Sequence, residues 1–489
     1  MDLSSISLAI AAAVFFFTMY IKVFRRRPSA PLPPGPSSLP LIGNILDMPA
    51  QAAWIQYDRW LKEYGDIVHV EVLGKHIIIL GSPYHISNLL EKRSSIYSNR
   101  PRMPMLNELM GWDFTFGLMP YGTLWRKHRK LFHDYFNPGV VERYQETQQA
   151  QTKSFMRRLH HSPDEFLEHI RHAFASTIMM ITYGIQVLDS GDPYIDVAEK
   201  AVAGVTQAVH PGRFLVDLFP ILKYVPAWVP GAGFRKKAAR WAAINHTLVN
   251  APYEATKASL SEGKVASSIV AEMISNLSKD HTLREEQEEI AKGVAATAYA
   301  GGADTTVSTV QTFFLAMAMH PHVQKKAQAE LDSVIGAVPD RLPDFSDRDV
   351  LSYTQALVLE LLRWNMVAPA GVPHACTEDN VYEGYLIPKG SLVIASSWSL
   401  SRDPTVYPEP NGFNPGRFLK DGKINPDMKD PRTYCFGFGR RICPGRHFAE
   451  NSLWSIVTGI LSVFTITPKT EVLTAEMTGG ALSYPVPFQ

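Results

Sequence analysis

From Thr282 to His320 the sequence keeps a helical apolar period for about 38 residues, a rod of ~57 Å at 1.5 Å of rise per residue. The run opens at Thr282-Leu283-Arg284-Glu285, a capping-box pattern, and Pro321 stops it. Globular helices usually run ~8–20 residues, so a helix this long must be packed against several others. It is not a membrane span, because Lys292 and Asp304 leave no charge-free stretch of ~18 residues. The expected fold is therefore a large, mainly α body built round a central beam, with Pro321 opening the next helix.

The β portions are small. Residues 66–81 alternate and are rich in Val and Ile, which predicts a hairpin turning near Gly74-Lys75. Residues 372–394 predict short strands with turns at Asp379-Asn380 and Lys389-Gly390. A Pro-rich irregular stretch follows from Asp403 to Pro415. The loop Phe436 to Gly445 then leads into an apolar helix reaching about Phe464.

Two features place the chain. Leu3 to Ile21 carry no charge and are followed by Lys22, Arg25, Arg26 and Arg27. A signal peptide has its basic residues before the apolar run, so this order predicts a retained anchor with its C-terminal flank in the cytosol. The prolines from Pro28 to Pro40 predict a stiff, extended spacer. The expected organisation is an N-terminal transmembrane helix in 1–24, a basic and Pro-rich hinge in 25–44 and one catalytic domain in 45–489. Three cysteines exclude a disulfide scaffold, and 48 basic against 47 acidic residues argue against a nucleic-acid binder.

Cys443 stands just before a helix, with Pro444 and Gly445 after it and Arg440, Arg441 and Arg446 around it. Free backbone N–H groups and nearby positive charge favour a thiolate there. A Rossmann reading fails, since Ile442 occupies the place of a third glycine. In the beam, Gly301-Gly302-Ala303-Asp304-Thr305-Thr306 combines two helix-weakening glycines with an acid and hydroxyls in an apolar setting. Glu360 and Arg363, three apart on a helix, sit among apolar neighbours and predict a buried ion pair. Trp125 and Arg129 lie one turn apart on one helix face.

The segment Phe436-x-x-Gly439-x-Arg441-x-Cys443-x-Gly445 resembles, at every fixed position, the haem-binding signature of the cytochrome P-450 monooxygenases. Gly301 to Thr306, Glu360-x-x-Arg363, Phe413-x-Pro415-x-Arg417-Phe418 and Trp125-x-x-x-Arg129 resemble further family motifs and follow in family order. The likeness spans the chain, and its texture is most similar to membrane-anchored enzymes of fungal secondary metabolism. It implies a cytochrome P-450 fold and haem b as cofactor. Cys443 would be the metal ligand, an axial thiolate that favours O–O cleavage. Trp125, Arg129, His374 and Arg441 would meet the haem propionates, and Phe436 would pack beside the thiolate loop. Asp304 and Thr305 would be the catalytic pair for proton delivery. Glu360, Arg363 and Arg417 would form a structural triad.

The implied activity is oxidation of a small lipophilic metabolite by O₂, with NADPH-derived electrons supplied by NADPH–cytochrome P-450 reductase. The implied place is the endoplasmic reticulum membrane, with the catalytic body cytosolic. Substrate-facing positions would be Thr297 to Ala300, Val367 to Val372, and Leu482-Ser483. Arg126, Lys127, Arg129 and Lys130, with Arg446, would form a reductase-docking face. Phe214 to Pro230 reads equally as a membrane-dipping entry or as core. Two other classes stay open: an isomerase or dehydratase on the same fold, which an intact Asp304-Thr305 pair argues against, and a non-catalytic haem-binding membrane protein.

Overall fold

The computed structural model describes residues 30–209, 212–264, 267–337, 340–469, 476–480 and 482–485. The anchor expected in 1–24, and the first part of the hinge, lie outside these. Among the described residues no helix is long and apolar enough to cross a membrane.

The helices of twelve residues or more are α1 (Ala53–Tyr64), α2 (Thr123–Phe136), α3 (Gln145–His161), α4 (Phe166–Tyr183), α5 (Pro193–Ala208), α6 (Gly233–Ser261), α7 (His281–Gly302), α8 (Thr305–Met319), α9 (Pro321–Ile335), α10 (Ser352–Trp364) and α11 (Arg446–Val463). The strands are β1 (Ile67–Val72), β2 (Lys75–Leu80), β3 (His374–Ala375), β4 (Asn380–Tyr382), β5 (Tyr385–Ile387), β6 (Leu392–Ala395), β7 (Leu419–Lys420) and β8 (Lys423–Ile424). The mainly α class with small β portions is as expected.

β1 and β2 pair antiparallel, Ile67 opposite Leu80 and Val72 opposite Lys75. Leu73 and Gly74 make the turn with φ of 49° and 79°, the two positive values that match strand twist in a two-residue hairpin. β2 then runs parallel to β6, and β6 antiparallel to β3, in the order β1-β2-β6-β3. This sheet carries His374 into the interior beside Val393. The turn expected at Asp379-Asn380 falls instead at Glu383-Gly384, with φ of 50° and 79°. Asn380 belongs to β4, where its Oδ1 accepts from Arg93 (2.8 Å) and from the Tyr97 hydroxyl (3.1 Å). Those tertiary bonds outweigh its turn preference.

The central beam exists, but it is two helices. Asp280, not Thr282, is the N-cap, and its carboxylate accepts from the Leu283 amide at 3.0 Å. α7 ends at Gly302 and α8 begins at Thr305. Between them Asp304 has φ −124° and ψ −46°, outside the helical well. The glycines weaken the ladder, and the Thr305 hydroxyl donates to the Gly301 carbonyl at 2.7 Å. The break separates two apolar cores. α7 packs in one with α2, α4 and α6; α8 packs in the other with α10 and α11. α8 is buried without interruption from Thr306 to Met317, and α11 from Asn451 to Leu461.

Candidate haem-binding and active site

The loop before α11 is fixed by its own backbone. The Cys443 amide donates to the Phe436 carbonyl at 2.8 Å, closing an eight-residue turn. Gly437 and Gly439 hold φ of 79° and 55° inside it. A Cβ at Gly439 would stand 2.1 Å from the Leu90 carbonyl oxygen, so no other residue fits that position. Gly445 has only the rim of the Phe132 ring at 4.0 Å where its Cβ would be. Burial pushes the Cys443 thiol up; a Gly445 hydrogen bond and the Arg129 and Arg446 guanidiniums pull it back toward the thiolate. A bound cation would complete that shift, since a coordinating thiol is deprotonated.

Around this loop lie Arg441, Arg129 and Arg100, none of them in an ion pair among the described residues. Arg441 is buried and spends its three nitrogens on the carbonyls of Ser98 (2.7 Å), Phe116 (3.0 Å) and Met119 (2.8 Å). Its guanidinium also lies 4.6 Å from the Trp125 ring centroid. Arg129 is half-buried, without a hydrogen bond or ion pair among the described residues, and senses Cys443 and Arg446. The Trp125 indole N–H is buried with no acceptor. His374 Nδ1 bonds the Tyr97 carbonyl at 2.7 Å. Burial, then Arg100 and Arg441, push its pKa down to about 3, so the ring is neutral at any working pH.

Arg100 was not singled out by sequence reasoning. It is buried and donates to the carbonyls of Gly117 (2.9 Å), Val372 (2.6 Å) and Pro373 (2.8 Å), and burial lowers its pKa to about 9. Its partners lie up to 273 residues away, so no local pattern marks it. Nor does any pattern mark Tyr121, whose ring packs against Trp125, tilted by 45° with centroids 5.0 Å apart.

The residues fit a haem. Buried cations without carboxylates, an orphaned indole donor and a half-buried Arg129 suit the two propionates. The thiol at a helix start suits iron. Gly301 is exposed and would meet nothing within 4 Å if it bore a Cβ, so the beam presents open space at its break.

Behind the site, Glu360 and Arg363 are fully buried and paired at 2.7 Å, and Arg417 reaches the same carboxylate at 3.2 Å. The expected triad is thus assembled. Two of the three expected substrate segments, Val367 to Val372 and Leu482-Ser483, meet. The Ser483 amide donates to the Val367 carbonyl at 2.8 Å, and the Ser308 hydroxyl of α8 donates to the Ser483 carbonyl at 2.5 Å. The basic run disperses: Lys127 pairs with Glu286, and Arg129 turns toward Cys443.

The cytochrome P450 family profile matches residues 33–489. The chain is 47% identical to "Cytochrome P450 monooxygenase COX2" of Coprinopsis cinerea, over 96% of this chain and 89% of that protein. It is 42% identical to "Cytochrome P450 monooxygenase 98" of Postia placenta, over 99% and 94%. It is 40% identical to "Tryptamine 4-monooxygenase" of Psilocybe cyanescens, over 99% and 96%. With the Cys443 loop and its arginine set in place, this chain belongs to the cytochrome P450 monooxygenases, enzymes that hold haem b through a thiolate-ligated iron and draw electrons from a reductase partner.

Proposed function

We propose that this P450 oxidises a small lipophilic metabolite of fungal secondary metabolism, such as a terpenoid, a polyketide or an indole or other aromatic product. The observation that carries an O₂-dependent reading over an isomerase or dehydratase is the intact acid–alcohol pair, Asp304 and Thr305, at the break in the beam. The 40% identity to a protein named for tryptamine makes aromatic amines a first class to assay.

Bound haem supplies oxygen activation. Cys443 would ligate its iron, Phe436 would shield the thiolate loop, and Arg129, Trp125, Arg441 and His374 would hold the propionates. Neutral His374 would donate through Nε2–H only if its Nδ1 is bare. The Tyr97 carbonyl at Nδ1 requires a proton there, so Nε2 is the acceptor of that ring. His374 would therefore take a hydrogen bond from a protonated propionate or a water, whereas the three other groups donate. Thr305 would hold a water or substrate oxygen at its hydroxyl once it leaves the Gly301 carbonyl, and Asp304 would supply the proton.

Thr305→Ala is expected to keep substrate binding and NADPH consumption while the fraction of electrons lost as peroxide rises several-fold. Unchanged coupling in a matched reductase assay would remove Thr305 from proton delivery.

We also place the chain at the endoplasmic reticulum membrane, with residues 1–24 as anchor and a cytosolic body. Leu215, Phe219, Ile221, Tyr224 and Trp228 are 58%, 49%, 72%, 71% and 81% exposed. Val216 is buried in the core, and Phe214 also turns inward, edge-on to Trp241 at 6.2 Å. The Lys75 amine bonds the Asp217 carbonyl at 2.6 Å, which joins this patch to the hairpin beside exposed Leu41 and Leu46. An apolar patch of this kind suits a bilayer. In protein lacking residues 1–24, Ile221→Ser with Trp228→Ser is expected to weaken vesicle partition by at least about tenfold, since burying each side chain is worth ~1.5–3 kcal/mol. Equal partition in a sedimentation assay would exclude the patch. For the reductase, Arg126 and Lys130 remain as exposed cations of the expected docking face.

A further inference from the structure

The Asp304 carboxylate has a partner that no motif contains: the Tyr484 hydroxyl donates to its Oδ2. Tyr484 is not a loosely placed ring. Its amide donates to Thr478 Oγ1 at 3.0 Å, and its carbonyl accepts from the Thr478 amide at 2.7 Å. Met477 and Pro485 bridge across the same turn. Ser483, next to it, is pinned to Val367 and Ser308. The C-terminal hairpin is therefore fastened to α8 and to the segment after α10, and it delivers the phenol to the break between α7 and α8.

Asp304 and Tyr484 also form part of the wall of a cavity of about 510 Å³ between α4, α5 and the beam. Arg171 of α4, Glu199 of α5, Thr206 and Gln207 line it as well. The cavity has room for many waters and polar groups to hold them. The charged or titratable groups that face Asp304 there are Arg171, Glu199 and Tyr484, and Arg171 and Glu199 are themselves 3.8 Å apart. Burial raises the Asp304 pKa above the ordinary carboxylate range; the Tyr484 hydrogen bond and Arg171 act against that rise. Burial and the carboxylate raise the Tyr484 pKa, so its phenol stays protonated.

We propose that Tyr484 is the positioning residue of the proton path, holding the Asp304 carboxylate against the cavity and releasing it to serve Thr305. A proton from bulk solvent, passed along the cavity waters so that each water is left neutral, reaches an Asp304 carboxylate oxygen. The protonated carboxyl binds the phenol less strongly, turns from it, and passes a proton to Thr305 Oγ1, whose own proton moves on. One proton enters for each that leaves, and no electrons move in this path. The inference rests on the proton-delivery role proposed for Asp304 and Thr305.

The test compares Tyr484→Phe in the parent and in an Asp304→Asn background, using the full-length haem-loaded protein. The phenol favours the ionised carboxylate. Its stabilising effect is therefore present above the Asp304 titration and lost as pH falls through it. Tyr484→Phe should lower the unfolding midpoint of the substrate-free protein more at pH 8 than at pH 5. That pH dependence should vanish in Asp304→Asn. In turnover, Tyr484→Phe should raise the peroxide fraction several-fold while the reduced carbon monoxide spectrum stays that of the parent. An equal midpoint loss at both pH values, or one that persists in Asp304→Asn, would reduce the phenol to a space-filling role and overturn the proposal. A pH-dependent midpoint with coupling unchanged in Tyr484→Phe, but lost in Asp304→Asn, would also overturn it while sparing the Asp304 reading. Coupling unchanged in Asp304→Asn itself would sink the underlying reading instead.

Discussion

Cys443→Ser is expected to abolish both turnover and the strongly red-shifted Soret band of the reduced carbon monoxide complex. The hydroxyl of serine is far more weakly acidic than a thiol and does not give iron the electron density that favours O–O cleavage. No other cysteine can take over. Cys376 is buried in the sheet region and its thiol donates to the Glu378 carbonyl at 2.9 Å. Cys435 ends the short helix Arg432–Cys435, eight residues before Cys443, and burial pushes its thiol well up. The apolar and arginine-rich walls remain in Cys443→Ser, so some haem should still bind, with an unshifted band. Cys435→Ser serves as the control and should keep the parental spectrum. A red-shifted band surviving in Cys443→Ser would remove that residue from the iron.

What could be read from sequence was what is local in sequence. The Cys443 loop is legible because its glycines, its arginines and the thiol fall within ten residues, and their geometry is decided by one backbone hydrogen bond from Cys443 to Phe436. The beam is legible from its period, and its break is foreshadowed by Gly301 and Gly302 without being located by them. The cap moved from Thr282 to Asp280 because both are good cap residues and only the chain's entry path selects between them. Arg100 and Tyr484 left no local trace. Their partners lie 272 and 180 residues away, and an isolated Arg or Tyr has the same appearance in sequence whether it is buried or solvated. The same blindness affected the basic run at Arg126 to Lys130, where helix phase and a distant Glu286 divide one apparent patch into paired, inward and exposed members.

Glu360→Gln is expected to cost about 3–5 kcal/mol, the usual penalty for leaving a buried charge without its partner, and to leave little folded holoprotein. The reason is an imbalance of charge. The Glu360 carboxylate accepts from Arg363 at 2.7 and 2.8 Å, from Arg417 at 3.2 Å and from the Asn414 amide at 2.7 Å. Arg402, also buried, lies close enough to feel the same carboxylate. One negative group thus compensates two bonded guanidiniums and moderates a third. These arginines in turn hold the irregular Pro-rich stretch. Arg363 donates to the carbonyls of Ser401 (2.9 Å), Pro410 (2.7 Å) and Gly412 (3.0 Å), and Arg417 donates to Pro408 (2.6 Å). A stretch with so many prolines has few backbone donors of its own, so side-chain N–H groups must satisfy its carbonyls. Gln keeps the shape but supplies one acceptor oxygen and an NH₂ that would face guanidinium N–H groups. The loss should therefore appear as a lower urea midpoint and faster haem loss, with the Soret band of the remaining holoprotein still red-shifted, because Cys443 lies on a separate loop. Parental stability in Glu360→Gln would mean that the arginines are neutralised by some other group, and that the triad does not fasten this stretch to α10.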